Sequence, residues 1–182
     1  MLVWTGSPHP LAGPFLFLDR DGVVNTDSPE YVKGWGEFAF EPGALEALRR
    51  LRGRGVNVVV VSNQSALARG LITPETFWDM HHRMVAAVRE AGGDILSAFY
   101  CPHGPHDACR CRKPAPGMLE AAAHLHDFPL AEATLIGDRA TDMEAARAAG
   151  CRGVMISHEV FSESRGRPVY RSLADAAADL FG

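Results

Sequence analysis

Residues 15–25 read "FLFLDRDGVVN", a run that begins apolar and stops at two aspartates with one arginine between them. The run Phe15–Leu18 predicts a β-strand that ends at this pair. Two carboxylates as close in sequence as Asp19 and Asp21 repel each other unless a cation lies near them. The pair is therefore either a solvated turn, which Asp and Gly favour, or a functional site.

The composition indicates one globular domain without an excess of charge. The 182 residues are 47% apolar with a formal net charge of −4, so the chain can bury one core but offers no general attraction for nucleic acid or acidic membranes. The longest aliphatic stretch, Val58–Val61, is far shorter than the roughly 20 residues of a membrane-spanning helix. We expect a cytoplasmic monomer with a loose N-terminal extension, residues 1–14, before a single domain over residues 15–182.

Short apolar runs alternate with longer segments of helical periodicity along the chain. The runs are Phe15–Leu18, Asn57–Val61, Ala98–Tyr100, Thr134–Ile136 and Gly153–Ile156. This alternation predicts an α/β fold with a parallel sheet. Polar residues follow three of the runs: Asp19 and Asp21, then Ser62 and Asn63, then Asp138. Because ligands of open parallel sheets bind beyond the carboxyl ends of the strands, these residues are expected to line one pocket.

The aspartate pair suits phosphoryl or acyl transfer if it is a site. A carboxylate such as Asp19 can attack the reacting centre and form a covalent intermediate, while a neighbour such as Asp21 carries protons. A Mg²⁺ ion would neutralise both the pair and a substrate phosphate.

Three further stretches carry polar groups, each with an ordinary structural explanation. The patch after "VVVV", Ser62 to Ser65, can bind phosphate oxygens, although alone it is weak evidence. In "CRKPAPG", Lys113 would normally be a solvated surface charge. In "LIGDRATDMEAARAAG", Asp138 and Asp142 could ligate a metal and orient its waters, or cap the following helix.

In this order and spacing, the four stretches resemble the haloacid-dehalogenase-like phosphatases over about residues 15–157. The resemblance implies a Rossmann-like three-layer αβα sandwich with a central parallel sheet and no large cap domain. It implies Asp19 as the nucleophile that forms an aspartyl-phosphate and Asp21 as the general acid and base. Ser62 and Lys113 would hold the phosphoryl group. The implied magnesium ligands are Asp19, the backbone carbonyl of Asp21, and Asp138, with Asp142 behind them.

The stretch "CPHGPHDACRC", residues 101–111, holds three of the four cysteines. Cys101, His103, Cys109 and Cys111 make the ligand set of a tetrahedral structural zinc site, with His106 as a spare donor and Cys151 left over. Chance clustering of free thiols and a nucleic-acid zinc finger are the alternatives. The flanking cations, Arg110, Arg112 and Lys113, are too few to neutralise many backbone phosphates. Zinc is therefore expected to stiffen the loop that brings Arg112 and Lys113 to the pocket.

This loop narrows the resemblance to one subfamily, which contains D-glycero-D-manno-heptose-1,7-bisphosphate 7-phosphatases and histidinol-phosphate phosphatases. "NQSALARG" and "CPHGP" look like the heptose enzymes, with Ala66 where those usually have glycine, whereas "IGDRATD" and "FAFEPG" look like the histidinol enzymes. The expected substrate-binding residues are Asn25, Asn63, Gln64, Arg112 and Arg139.

A heptose bisphosphate is the favoured substrate because Arg112 can meet a second phosphate with a bidentate fork. Histidinol phosphate remains the alternative, since Asp27 and Glu30 could bind its amine. The rival from another class is a catalytically silent zinc-bearing interaction module. The intact set of Asp19, Asp21, Lys113 and Asp138 argues against it, because a binding module does not need these residues together.

Overall fold

The computed structural model describes residues 1–6, 12–157 and 169–182. Its strands are β1 Leu2–Thr5, β2 Phe15–Leu18, β3 Asn57–Asn63, β4 Ser97–Cys101, β5 Thr134–Gly137, β6 Arg152–Ile156 and β7 Val169–Tyr170. Its helices are α1 Ala44–Gly53, α2 Ser65–Ala68, α3 Pro74–Glu90, α4 Gly117–His126, α5 Ala140–Ala149 and α6 Leu173–Phe181. Single 3₁₀ turns lie at Trp35–Glu37 and Leu130–Glu132.

The strands form one seven-stranded sheet in the order β1-β4-β3-β2-β5-β6-β7. Every neighbouring pair is parallel except β1 with β4. The predicted α/β fold with a central parallel sheet is confirmed. In the part of the chain that the structure describes, no insertion forms a cap domain; residues 19–43 join β2 to α1 through a loop with one 3₁₀ turn.

Two hydrophobic clusters cover the two faces of the sheet and complete three layers. Leu16 and Leu18 of β2 pack with residues of α1, α3 and α6 on one face. Phe15 and Phe17 point the opposite way and pack with α4 and α5. A four-residue apolar run without alternation is therefore explained by burial on both faces.

The N-terminal stretch differs from the expectation of a loose extension. Leu2–Thr5 pairs in antiparallel register with β4, and Gly6 N–H donates to the Leu96 carbonyl at 2.8 Å. The expectation is therefore wrong for these residues, because the open edge of β4 offers a row of backbone partners. Residues 7–11 of the predicted extension lie outside the described part of the chain, and the domain division at residue 15 stays a prediction. None of the helices in the described residues is long and apolar enough to span a membrane.

The central position of β2 decides where the polar residues meet. β2 lies between β3 and β5, with Leu18 in register with Val60 on one side and Ile136 on the other. The carboxyl ends of all three parallel strands point the same way, so the residues that follow them share one edge of the sheet.

Candidate active site

A pocket of about 850 Å³ opens at the carboxyl edge of the sheet. Its wall includes residues from each stretch that the sequence singled out: Asp19, Asp21, Ser62, Asn63, Gln64, Arg112, Lys113 and Arg139. The predicted convergence on one pocket therefore occurs for the residues after β2 and β3. Asp138 is not among the lining residues, but one of its oxygens lies within 4.8 Å of an Asp19 oxygen.

Lys113 is a buried cation at the bottom of this pocket, only 2% exposed. Its Nζ lies 3.0 Å from Asp19 Oδ2 and 2.6 Å from Asp142 Oδ1, and it donates to the Val61 carbonyl at 2.8 Å. Although burial disfavours the ammonium, the two carboxylates raise the pKa of Lys113. Lys113 is therefore not a solvated surface charge, because its ammonium is buried between two carboxylates and a backbone carbonyl.

Three carboxylates crowd the end of β2. Asp19, Asp138 and Asp142 each place an oxygen within 4.8 Å of the others. Burial, with the nearby carboxylates of Asp142 and Asp21, raises the pKa of Asp19 to about 6 against the opposing effect of Lys113. Burial and the charges of Asp19 and Asp142 raise the pKa of Asp138 to about 7. Three carboxylates face one buried ammonium, that of Lys113, and the Arg139 guanidinium lies 3.8 Å from Asp138, so the cluster keeps an excess of negative charge.

The geometry around Asp138 suits a hard cation. Its Oδ1 is buried without a hydrogen-bond partner among the described residues. Gly22 has a φ of +78°, and a Cβ there would lie 2.4 Å from Asp138 Oδ2, so only glycine lets the backbone after Asp21 approach so closely. Carboxylate oxygens at this spacing fit Mg²⁺, and Asp138 is the member of the three that is not paired with Lys113.

Asp21 is tied into a separate network beside this cluster. Arg20, which is 2% exposed, donates to both of its oxygens, Asn25 Nδ2 donates at 2.9 Å, and Gln64 Nε2 donates at 2.7 Å. Burial alone would raise the pKa of Asp21, but the Arg20 charge and these hydrogen bonds hold it below its usual value. No role was predicted for Arg20, although its position between two aspartates was an available signal.

The predicted substrate-binding residues separate into two groups. Arg112 and Arg139 line the pocket, where Arg112 Nη1 donates to the His103 carbonyl at 3.1 Å and Arg139 Nη2 pairs with Asp27 at 2.6 Å. Asn25 is 0% exposed and does not line the pocket. Its prediction as a substrate contact is wrong, because its amide is buried and donates to Asp21 and to the Thr26 carbonyl.

Asp142 has more than one structural task. It accepts a hydrogen bond from the Arg139 N–H at 3.0 Å at the start of α5, so the helix-cap reading applies. It also pairs with Lys113, a contact that no local sequence pattern predicts because the two residues lie in different parts of the chain.

The cysteine-rich loop brings its four expected ligands together. The contacts of Cys101 Sγ with His103 Nδ1 and Cys109 Sγ are 3.5 and 3.7 Å, and those of Cys111 Sγ with the same atoms are 3.3 and 3.8 Å. Tetrahedral thiolates at a Zn–S distance of about 2.3 Å would lie about 3.8 Å apart. The set fits zinc, and His106 is not part of it.

Comparison with known proteins identifies the family. The HAD-hydrolase-like family model matches residues 110–179. A crystal structure of D,D-heptose 1,7-bisphosphate phosphatase from Bordetella bronchiseptica, complexed with magnesium and phosphate, has a TM-score of 0.86 at 39% identity and covers 92% of this chain and 98% of that one. A putative HAD-like phosphatase from Mesorhizobium loti has a TM-score of 0.81 at 31% identity over 99% and 94% of the two chains. The chain belongs to the haloacid-dehalogenase-like phosphatases.

Within that family, similar curated proteins share one name. A D-glycero-β-D-manno-heptose-1,7-bisphosphate 7-phosphatase from Pseudomonas aeruginosa is 41% identical over 85% of this chain and 86% of its own length. The enzyme of the same name from Bordetella bronchiseptica is 46% identical over 75% and 76%.

The carboxylate cluster generates a prediction about stability. Replacing Asp138 with Asn removes one of three crowded charges, so the metal-free variant should unfold a few degrees higher than metal-free wild type, corresponding to about 1 kcal/mol. Added Mg²⁺ should raise the Tm of wild type but not of Asp138→Asn. Thermal unfolding with and without Mg²⁺ makes the comparison.

Asp127→Asn is the matched control, because Asp127 is exposed and lies outside the cluster. It should retain the Mg²⁺-dependent rise. An equal response to Mg²⁺ in wild type and Asp138→Asn would show that Asp138 does not bind the ion.

Proposed function

We propose that the protein is a Mg²⁺-dependent phosphatase that removes the 7-phosphate of D-glycero-D-manno-heptose-1,7-bisphosphate. The observation that carries the proposal is Asp19, a buried strand-end carboxylate 3.0 Å from Lys113 and beside Asp138 in an open pocket. A nucleophile, a phosphate-binding cation and a metal position are therefore adjacent.

Asp19 is the proposed nucleophile. Its Oδ1 accepts a hydrogen bond from the Arg20 backbone N–H at 2.6 Å, and its Oδ2 pairs with Lys113. These two contacts fix the orientation of the carboxylate. Attack by an Asp19 oxygen on the phosphorus, with departure of the sugar oxygen, gives an aspartyl-phosphate. Lys113 and the Ser62 hydroxyl would bind oxygens of the transferred group.

Asp21 is the proposed proton carrier. It would give a proton to the departing sugar oxygen and then take one from the water that hydrolyses the aspartyl-phosphate. Asp21 must be protonated for the first step, so substrate binding has to loosen its pairing with Arg20 or raise its pKa.

Asp19, Asp138 and the backbone carbonyl of Asp21 would hold the magnesium ion. When bound, the ion neutralises the carboxylates and polarises the phosphoryl oxygens. Asp142 would keep Lys113 in place beside it, as their 2.6 Å contact suggests.

The substrate assignment rests on the relatives and on the charges around the pocket. Arg112 lines the pocket and uses only Nη1 on the His103 carbonyl, so its other N–H groups can bind the phosphate that is not transferred. Histidinol phosphate would need carboxylates for its amine, but Asp27 is paired with Arg139 and Glu30 is not among the lining residues. This favours the bisphosphate, and the grouped catalytic residues likewise argue against a silent interaction module.

Zinc is the proposed occupant of the Cys101, His103, Cys109 and Cys111 cluster. The Arg112 hydrogen bond to the His103 carbonyl connects this loop to the pocket, so the metal would act by positioning rather than by chemistry. A cytoplasmic location and a monomeric state remain predictions from the sequence.

The mechanism predicts that Asp19→Asn loses at least about 10³-fold in kcat while the protein stays folded, because an amide is a far poorer nucleophile. Phosphate release and circular dichroism measure the two effects. Phosphate release at the wild-type rate would contradict the nucleophile assignment.

The substrate assignment predicts a higher kcat/KM for the heptose bisphosphate than for histidinol phosphate. Arg112→Ala should raise KM for the bisphosphate at least about 10-fold, the effect expected from a lost charge-assisted hydrogen bond. Arg110→Ala is the control, because Arg110 is exposed on the same loop and does not line the pocket. More efficient turnover of histidinol phosphate would overturn the assignment and leave the phosphatase mechanism intact.

The zinc assignment predicts about one equivalent of zinc in protein purified without chelator. Cys109→Ser should lose the metal and much of the activity, whereas Cys151→Ser should keep both, because Cys151 is outside the cluster. Elemental analysis and thiol alkylation are the measurements. Less than about half an equivalent, with Cys101 and Cys109 freely alkylated, would refute the site.

A further inference from the structure

We infer that Asn63 and Gln64, two adjacent amides at the end of β3, are positioning residues rather than substrate contacts. Asn63 positions Lys113 and Gln64 positions Asp21. The inference rests on the proposed function, since it assigns these residues tasks within that reaction.

Asn63 binds the backbone of Lys113 from both sides of its amide. Its Nδ2 donates to the Lys113 carbonyl at 3.0 Å, and its Oδ1 accepts the Lys113 N–H at 3.0 Å. These two bonds join β3 to a residue fifty positions later, at the point where the cysteine-rich loop returns to the pocket. The Lys113 ammonium, which contacts Asp19, therefore extends from a backbone that Asn63 holds.

Gln64 is bound to the proton carrier and to the second phosphate-binding residue. Its Nε2 donates to Asp21 Oδ2 at 2.7 Å and to Ser62 Oγ at 3.0 Å, and its Oε1 accepts from Arg20 Nη2 at 3.0 Å. The side chain is 5% exposed. One amide thus fixes Asp21, Ser62 and Arg20 relative to one another.

Most N–H groups of these two amides already bond to protein oxygens, which makes the side chains poor candidates for binding substrate. An amide nitrogen has two N–H groups, and Gln64 uses both on protein oxygens. It can donate to a phosphate only by leaving Asp21 or Ser62. Asn63 has one N–H free, but moving its amide would break two bonds to Lys113.

The backbone between the two residues is also fixed. Asn63 is in register with Cys101 of β4, and the Gln64 N–H donates to the Cys101 carbonyl at 2.7 Å. The amides therefore lie on a rigid strand end beside the thiol cluster. A rigid support is what a positioning residue needs, because small errors in geometry cost large factors in rate.

Substitutions of Asn63 and of Gln64 should change kcat/KM differently for different substrates, because Lys113 and Asp21 have different roles in the proposed reaction. Lys113 binds the transferred phosphoryl group, which every substrate has. Asp21 protonates the leaving oxygen, a step that an alkoxide needs and a p-nitrophenolate barely needs. The parameter kcat/KM covers the steps through formation of the aspartyl-phosphate, so it separates these effects.

The experiment compares kcat/KM for heptose-1,7-bisphosphate and for p-nitrophenyl phosphate. Asn63→Ala should lower both by a similar factor of at least about 10. Gln64→Met should lower the bisphosphate value at least about 10-fold and the p-nitrophenyl phosphate value by a clearly smaller factor, because only the lost bond to Ser62 affects the second substrate. Gln64→Glu keeps the acceptor for Arg20 but replaces the donor to Asp21 with a second carboxylate, so the bisphosphate value should again fall at least about 10-fold and more than the p-nitrophenyl phosphate value.

Asn57→Ala is the matched control. Asn57 lies at the opposite end of β3, is 2% exposed, and donates to the Gly13 carbonyl at 3.2 Å. Asn57→Ala loses a buried hydrogen bond of the same kind away from the pocket. It should therefore leave kcat/KM unchanged for both substrates. Tm and zinc content of each variant are measured in parallel, and Asn63→Ser replaces Asn63→Ala if the latter does not fold.

Three results would overturn the inference. One is a rise in KM for the bisphosphate alone with kcat unchanged, which marks a substrate contact. Another is a loss no larger than that of Asn57→Ala, which marks a purely structural role. The third is an equal loss on both substrates in the Gln64 variants. If wild type does not hydrolyse the bisphosphate, the proposed substrate fails separately, and the same comparison is made with an aliphatic phosphate ester that wild type does hydrolyse.

Discussion

The ammonium of Lys113, buried between the carboxylates of Asp19 and Asp142, is the interaction on which the rest of the site depends. A buried charge without a partner costs several kcal/mol, so the three groups stabilise one another only as a set. They come from a strand end, a loop and a helix start, which the Lys113 ion pairs connect at the pocket. The same contacts place a cation beside Asp19, the proposed nucleophile.

This charge arrangement links the cysteine-rich loop to the pocket. The thiols of the loop take no part in the proposed reaction, but the loop positions Lys113. Lys113 follows two residues after Cys111, and Arg112 between them donates to the carbonyl of His103. Any shift of the loop would move the ammonium relative to Asp19. Asn63 adds a second attachment from β3, so the loop is held at the pocket by side-chain to backbone hydrogen bonds as well as by the thiol cluster.

The excess of carboxylate at the end of β2 has a functional meaning. Three acidic side chains with oxygens within 4.8 Å of one another repel, and this repulsion adds to burial in raising the pKa of Asp19 and of Asp138. Asp21 avoids the same rise in pKa through Arg20, Asn25 and Gln64. Two aspartates separated by one residue thus have opposite environments, one suited to a metal ion and one to proton transfer.

The sequence by itself determined the five strands β2 to β6, their parallel arrangement and most of the residues at the carboxyl edge, because apolar runs and the residues after them are local features. It also determined the Cys-x-His-x₅-Cys-x-Cys spacing, which is set within eleven positions. Only the tertiary structure decided what each amide and carboxylate contacts. The Asn25 side chain is buried, residues 2–5 pair with the open edge of β4, and Asp142 forms an ion pair with Lys113. Hydrogen-bond partners distant in sequence depend on how strands and loops pack, and no local pattern encodes which of two polar neighbours will face the pocket and which the protein.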